Sequence, residues 1–293
     1  MYEHGWYQIK FAHELPDHGI SALELDGRPL MAARAGGRVG VFDAVCPHRG
    51  AHLAHGGRLD DGAVVCPFHG YRIGLGEGGG HDFCVRELHG GVAGGGVFAR
   101  LSGRAEPDLG EVLAELERDH VFVPGFSMQV DASMETVIEN GFDNAHFKSV
   151  HGLAQPDLAV RTGEHGELVA EGVFAIPAIR GAGGGRRTRY LARAFSPGIM
   201  LASLEGEPPY NYKILTAATP RAGSVGCTIR LTLVFPGTEP PPDRLVRGIL
   251  QESRKGLELD RDVWDHLVPD APQRYTDLDD AVQRFHAYCE TFR

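Results

Sequence analysis

The pattern of hydrophobic and polar positions divides the chain into two parts. Residues 20–101 carry short apolar runs separated by glycine-containing turn signals, which is typical of an antiparallel β module. A polar stretch with glycine and proline follows at 102–110 and leads into a helix-like segment. We therefore expect one domain over residues 1–105 and a second over residues 106–293.

The second part mixes helical patterns with longer apolar runs. Strands are expected near 168–176, 187–204, 210–218 and 226–235. Helical patterns cover about 133–151, Asp243 to Leu267 and Asp277 to Phe292. This mixture predicts an α+β fold, in which an antiparallel β domain precedes a domain of sheet and helices.

Composition and charge narrow the class of protein. The 293 residues carry 29 Lys and Arg against 39 Asp and Glu, a net charge of −10, which argues against a nucleic-acid partner. Apolar runs are too short to span a membrane, and the chain does not start like an export signal, so we expect a cytoplasmic protein. Five cysteines favour metal or redox use over a disulfide framework.

Two similar loops supply the first candidate metal site. CPHRG and CPFHG give the pattern C-x-H-x17-C-x-x-H, so each loop offers one Cys and one His. Zinc sites usually take both Cys from one turn and both His from a helix, although a zinc knuckle stays an alternative. In a [2Fe–2S] centre with mixed ligands, two opposed loops can each serve both irons. We expect Cys46 and Cys66 on the inner iron and His48 and His69 on the outer iron.

The segment ENGFDNAHFKSVHG supplies the second candidate site. Asn140, Asp143 and His146 lie at helical spacings on one face, and His151 follows five residues after His146. Five residues rotate a helix by about 140°, so both imidazoles reach one ion only if the helix ends between them, which the following glycine permits. Two histidines and a carboxylate form the facial triad of non-haem Fe(II) enzymes. Without a carboxylate, two ordinary helix histidines would be the simpler reading.

The carboxylate is expected from the helix that starts at Asp243. At about 100° per residue its apolar side chains fall on one face: Leu245, Val246, Ile249, Leu250, Leu257, Val263, Trp264 and Leu267. Asp260 falls in the middle of that face. Because a buried unpaired carboxylate is costly, we predict Asp260 as the third metal ligand. Asp143 lies one turn before His146 and suits a partner that orients the imidazole.

With these motifs, the sequence resembles the Rieske non-haem iron oxygenases, in particular their terminal oxygenase component. SPGI at 196–199 and LDRDVWDH at 259–266 look like the 3-ketosteroid hydroxylase and cholesterol desaturase branch. The resemblance implies a Rieske domain followed by a helix-grip catalytic domain, a head-to-tail homotrimer, and Asp260 as iron ligand. It also implies that Asp143 bridges His146 to His69 of the partner subunit, and that Asn140 and Asp143 assist catalysis.

The expected function is that of a monooxygenase. Electrons from NAD(P)H would reach the [2Fe–2S] cluster through a separate ferredoxin or flavin reductase and pass to the mononuclear Fe(II). There O2 would be used to hydroxylate, desaturate or demethylate an apolar substrate such as a steroid-like or polycyclic natural product. The alternative is an electron carrier, a Rieske domain fused to a helix-grip binding module without catalysis. It needs only the first site, so iron content separates the two: about three irons per chain for the oxygenase and two for the carrier.

Overall fold

The structure is a computed structural model. It describes residues 2, 4–17, 19–25, 27–35, 37–76, 80–101, 107–153, 156–176, 186–206, 211–268 and 271–293. The predicted domain boundary near residue 105 lies outside these residues.

The described residues of the first part form ten short strands. They are β1 Trp6–Phe11, β2 Ile20–Leu25, β3 Arg28–Ala35, β4 Arg38–Asp43, β5 Arg58–Asp60, β6 Ala63–Val65, β7 Arg72–Leu75, β8 Phe83–Val85, β9 His89–Ala93 and β10 Gly96–Arg100. They form three sheets with the orders β1-β10-β9, β2-β3-β4 and β5-β6-β7-β8. Pairing is antiparallel except between β7 and β8, which run parallel. The predicted β module is therefore confirmed, apart from that pair.

Strand β1 extends the module well before the predicted start at residue 20. Almost all of its side chains are buried because it pairs with β10 on one side and packs against the second part of the chain on the other. The hydroxyl of Ser196 donates to the carbonyl of Trp6 at 2.8 Å, and the hydroxyl of Thr219 donates to the carbonyl of Gln8 at 2.6 Å. Strand β1 therefore joins the two parts.

The second part places helices around one large sheet. Its helices are α1 Leu109–Leu116, α2 Met134–Glu139, α3 Asn144–Ser149, α4 Asp243–Trp264 and α5 Asp280–Glu290. Its strands are β11 His120–Val130, β12 Ala159–Thr162, β13 Leu168–Ile176, β14 Arg186–Ser196, β15 Ile199–Glu205, β16 Asn211–Pro220 and β17 Cys227–Pro236. The sheet is antiparallel throughout, in the order β11-β17-β16-β15-β14-β13-β12. The α+β fold class is thus confirmed.

Two predicted elements differ from the structure. The strand expected over 187–204 is two strands, because the turn at Pro197 and Gly198 separates β14 from β15. The prediction of a single helix over 133–151 is also wrong. Helix α2 passes into a 3-10 turn at Asn140–Phe142, and Asp143 adopts an extended conformation before α3 begins.

Helix α4 buries a narrower face than its sequence pattern predicts. Asp260 and Trp264 are buried, as expected. Val263 and Leu267, however, are 49% and 54% exposed. The apolar residues of α4 that precede Asp260 pack on the sheet beside Leu231, Leu233 and Phe235. Fewer side chains are buried at the end of the helix. Among the described helices, none is long and apolar enough to cross a membrane.

Candidate metal centres

The two Cys-His loops have the same backbone structure. In the first, the amide of Cys46 donates to the carbonyl of Ala51 at 2.8 Å, and the amide of Gly50 donates back to the carbonyl of Cys46 at 2.9 Å. In the second, Cys66, Tyr71 and Gly70 repeat these bonds at 2.8 and 3.0 Å. Both glycines have a positive φ, 76° and 73°, which ordinary side chains rarely adopt. Each loop is therefore a closed turn that directs one Cys and one His toward the other loop.

The side chains at the tips of these loops are graded from buried to exposed. Cys46 and Cys66 are each 2% exposed and belong to the core of the first domain. His48 is half-buried, His69 is exposed, and their ring centres lie 4.8 Å apart. The thiols thus lie on the inner side of the loops and the imidazoles on the outer side.

The donor set of the loops fits an iron–sulfur cluster. The buried Nδ1 atom of His48 has no hydrogen-bond partner in the described part of the chain, which leaves its lone pair available to a metal. Desolvation and the nearby His48 and Arg49 hold the pKa of His69 below its ordinary value, and this favours the neutral imidazole that binds metals. Two thiols and two neutral imidazoles are the ligands of a Rieske [2Fe–2S] centre.

The second site depends on where α3 ends. The amide of Gly152 donates to the carbonyl of Lys148 at 3.1 Å, and the amide of Leu153 donates to the carbonyl of Phe147 at 3.0 Å. These two bonds, with a φ of 63° at Gly152, close the end of α3 with a left-handed glycine. The predicted helix end is therefore present, and it turns His151 back toward His146.

Three ligand atoms meet at this site. The Nε2 atoms of His146 and His151 are 3.0 Å apart, and they lie 3.3 and 3.2 Å from Oδ1 of Asp260. This trio is the set of potential metal ligands that comes together among the described residues. Helix α4 contributes Asp260 from a position 109 residues after His151, and the carboxylate is 5% exposed.

The geometry of the trio fits one metal ion. Neighbouring ligands of an octahedral ion at about 2.1 Å lie about 3.0 Å apart, so the three atoms have the spacing of one octahedral face. The buried Oδ1 atom of Asp260 lacks a hydrogen-bond partner among the residues described. Burial disfavours its charged form, yet the contacts with His146 and His151 hold the pKa of Asp260 below its ordinary value. The site thus holds a carboxylate ready to bind a cation.

Asp143 and Asn140 lie in the chain that leads into this site. One carboxylate oxygen of Asp143 accepts the amides of Ala145 and His146 at 2.8 and 3.0 Å, so Asp143 caps the N-terminus of α3. It fixes the backbone of His146. Asn140 starts the 3-10 turn and lines the cavity next to the three ligands.

That cavity has a volume of about 1090 Å³ and opens beside α4. The sequence alone did not reveal its walls. The sheet lines it with alternate residues of four neighbouring strands: Phe174, Tyr190, Met200, Ala202, Leu204, Tyr212, Ile214 and Thr216. The alternation of side chains along a strand predicts which of these residues share a face of the sheet. Which face lines the cavity depends on where α2, α3 and α4 pack.

Three aromatic rings form the wall near the histidines. The ring centres of Phe147, Phe174 and Tyr190 lie 4.7 to 5.4 Å from one another in edge-to-face contacts. The hydroxyl of Tyr190 donates to the carbonyl of Gly141 at 3.0 Å, and burial raises the pKa of Tyr190 far above its ordinary value. Tyr190 is therefore a fixed, neutral residue of the cavity wall.

The chain thus combines a two-loop Cys-His site with a two-His, one-carboxylate site, which are the donor sets typical of a Rieske cluster and of a mononuclear metal ion. The sequence of residues 5–84 matches the protein family described as the Rieske [2Fe-2S] domain. Aminopyrrolnitrin oxygenase PrnD of Pseudomonas fluorescens is 26% identical over 97% of this chain and 89% of that protein. Cholesterol 7-desaturase nvd of Xenopus laevis is 41% identical over 74 residues, which is 25% of this chain and 16% of the desaturase. The chain thus spans only a small part of that relative.

Solved structures share the fold of the whole chain. Apo dicamba monooxygenase is 19% identical with a TM-score of 0.73, and the match covers 100% of this chain and 97% of that one. The oxygenase in the reduced oxygenase–ferredoxin complex of carbazole 1,9a-dioxygenase is 17% identical with a TM-score of 0.68, covering 96% and 87%. Residues 5–84 thus match a Rieske [2Fe-2S] domain, and the proteins that the chain resembles over a longer range are named as oxygenases and share its fold.

Proposed function

We propose that this chain is the terminal oxygenase component of a Rieske-type monooxygenase that acts on an apolar, polycyclic or steroid-like substrate. Residues 1–105 would store electrons and residues 106–293 would hold the reacting iron. The observation that carries the proposal is the triangle of His146, His151 and Asp260, which lies on the wall of a large apolar cavity. An electron carrier needs neither the triangle nor the cavity.

In the first domain, Cys46 and Cys66 would hold the buried iron of the cluster and His48 and His69 the outer iron. The gradient of burial across the loops supports this assignment, because uncharged imidazoles tolerate solvent at the tip and the thiolates are kept in the core. The neutral imidazoles also keep the cluster charge low, which raises its reduction potential.

In the second domain, a mononuclear Fe(II) held by His146, His151 and Asp260 would supply activation of O2 for hydroxylation, desaturation or demethylation. The aromatic wall of Phe147, Phe174 and Tyr190 would exclude water and position an apolar ring system. Asp143 would keep His146 in place through the backbone of α3, and Asn140 would contact the substrate side of the site.

The partners follow from the surface around the first site. Phe68 and Tyr71 stand beside His69 and are 58% and 46% exposed, which favours contact with another protein surface. We propose that this exposed end of the Cys-His loops contacts two partners. One is a ferredoxin or flavin reductase that brings electrons from NAD(P)H, as a ferredoxin binds the oxygenase of carbazole 1,9a-dioxygenase. The other is the next subunit of a homotrimer, in which Asp143 would connect His146 to His69 of the partner subunit.

Iron content tests the proposal. The purified holoprotein is expected to contain about three irons per chain, two in the cluster and one mononuclear. Asp260→Ala should lose one iron and keep the visible spectrum of the cluster. Asp262→Ala is the matched control, since it removes an exposed carboxylate two residues away on α4 and should keep all three.

Turnover then tests the activity. A panel of sterols and polycyclic compounds would be incubated with the holoprotein, a surrogate reductase and NADH, and products would be identified by mass. Two irons per chain in the unaltered protein would favour the electron carrier and contradict the proposal. So would a full complement of iron in Asp260→Ala.

A further inference from the structure

The cavity holds one buried donor that nothing in the described chain satisfies. The side-chain Nδ2 atom of Asn140 is shielded from solvent and has no hydrogen-bond partner among the described residues. A buried donor without a partner costs free energy, so such groups in native proteins usually serve a ligand or an ordered water. Asn140 lines the same cavity as the two histidines.

Other polar groups on the inner wall are less suited to bind a ligand. The hydroxyl of Tyr190 already donates to the carbonyl of Gly141. Arg244, Glu252 and Lys255 line the cavity from exposed positions on α4, and Lys255 pairs with Glu252 at 2.7 Å. Thr216, Tyr212 and Ser253 remain as competitors, because their hydroxyl-bearing side chains also line the cavity.

Asn140 is also held in a fixed position. The chain around it is tied to the sheet by the Tyr190 bond to Gly141, the residue that follows Asn140. A methyl group added at Gly141 would lie 2.3 Å from the sulfur of Met200, so the 3-10 turn and β15 are in close contact. Asn140 is therefore held in the cavity wall by a rigid segment, which is what selective recognition requires.

We propose that Asn140 determines substrate specificity by donating a hydrogen bond from Nδ2 to an acceptor oxygen, of the carbonyl type, on an otherwise apolar ring system. The ring body would lie against Phe147, Phe174 and Tyr190. A hydrocarbon of the same shape would fill the cavity but leave the amide unpaired, and it would bind more weakly for that reason. The inference rests on the proposed function for the use of the cavity.

Binding of a matched pair of ligands tests this role without turnover. 9-Fluorenone and fluorene differ by the carbonyl oxygen, and their affinities for the unreduced holoprotein can be measured by equilibrium dialysis. The unaltered protein should bind fluorenone about ten-fold more tightly than fluorene, which corresponds to about 1.4 kcal/mol. Asn140→Leu, of similar shape and without the donor, should reduce this ratio to below about two-fold.

Further variants make the result decisive. Thr216→Val, Tyr212→Phe and Ser253→Ala each remove one competing hydroxyl and should keep the ten-fold ratio. Asn140→Ala removes the donor with a smaller side chain, so it replaces the leucine variant if that protein does not retain the cluster spectrum and melting temperature. A ratio unchanged in the folded Asn140 variant, a ratio lost in any of the three hydroxyl variants, or no binding of either ligand would overturn the assignment of Asn140.

The outcome is separable from that of the proposed function. A lost ketone preference in Asn140→Leu supports the role of Asn140 even if no compound of the panel is turned over. Conversely, turnover with three irons per chain and an unaffected ketone preference would uphold the oxygenase and reject Asn140 as its selective contact.

Discussion

Gly141→Ala is expected to destabilise the protein, although the same substitution usually stabilises a helical turn. An alanine Cβ at this position would lie 2.3 Å from Sδ and 2.8 Å from Cε of Met200, and 3.2 Å from the hydroxyl oxygen of Tyr190. Met200 is buried and the Tyr190 hydroxyl is held by its bond to Gly141, so either the end of Met200 changes rotamer or the 3-10 turn moves away from β15. Overpacking of this kind costs about 1–3 kcal/mol, against a gain of about 0.4–1 kcal/mol from the stiffer unfolded chain.

The net effect is a loss of about 1–2 kcal/mol, equivalent to a fall in the melting temperature of roughly 2–8 °C for a chain of this size. Gly248→Ala is the matched control. Gly248 lies inside α4, and a Cβ there would meet no atom within 4 Å. Helix propensity alone should raise stability by about 1 kcal/mol.

Calorimetry or urea unfolding of the two variants and the unaltered protein checks the pair. The two glycine-to-alanine changes are expected to alter stability in opposite directions. A melting temperature of Gly141→Ala at or above that of the unaltered protein would show that the close approach of the turn to β15 is not what requires glycine. The fluorenone affinity of Gly141→Ala should also fall, because Asn140 moves with the turn.

Two other predictions concern Asp143 and His286. Asp143→Ala removes the acceptor for two amides of α3 and should lower the free energy of unfolding by about 1 kcal/mol in urea. Asp143→Asn keeps a capping side chain and should cost less than half of that. Equal losses in the two variants would mean that helix capping is not the reason for the loss of stability. His286 lies 2.7 Å from Glu139, and this hydrogen bond raises the pKa of His286 above 6.5. The stabilisation by this pair is therefore complete below about pH 6.5 and is lost as the pH rises through the raised pKa. Glu139→Gln should lower the unfolding free energy more at pH 6 than at pH 8.5, and a loss independent of pH would contradict the assigned ionisation.

Local patterns indicated the fold class and both candidate ligand sets. The strand expected at 168–176 and the ends of α4 and α5 were found close to their predicted positions, because alternation and helical periodicity report which face of an element is buried. Asp260 was found from the same argument, as the single carboxylate in the middle of an apolar face. The loop residues Cys46, His48, Cys66 and His69 were evident because metal ligation needs particular residue types at particular spacings.

What the sequence by itself determined, then, is the chemistry that the chain carries and the faces that it buries. Only the tertiary structure decided that His146, His151 and Asp260 meet within 3.3 Å and that Tyr190 and the even-numbered residues over 200–204 and 212–216 wall one cavity. It also showed that Nδ2 of Asn140 has no hydrogen-bond partner among the described residues. The reason is physical. Periodicity reports on residues three or four positions apart in the sequence. The distance between α3 and α4 depends on how both helices pack on a sheet whose strands come mostly from the hundred or so residues between them in the sequence.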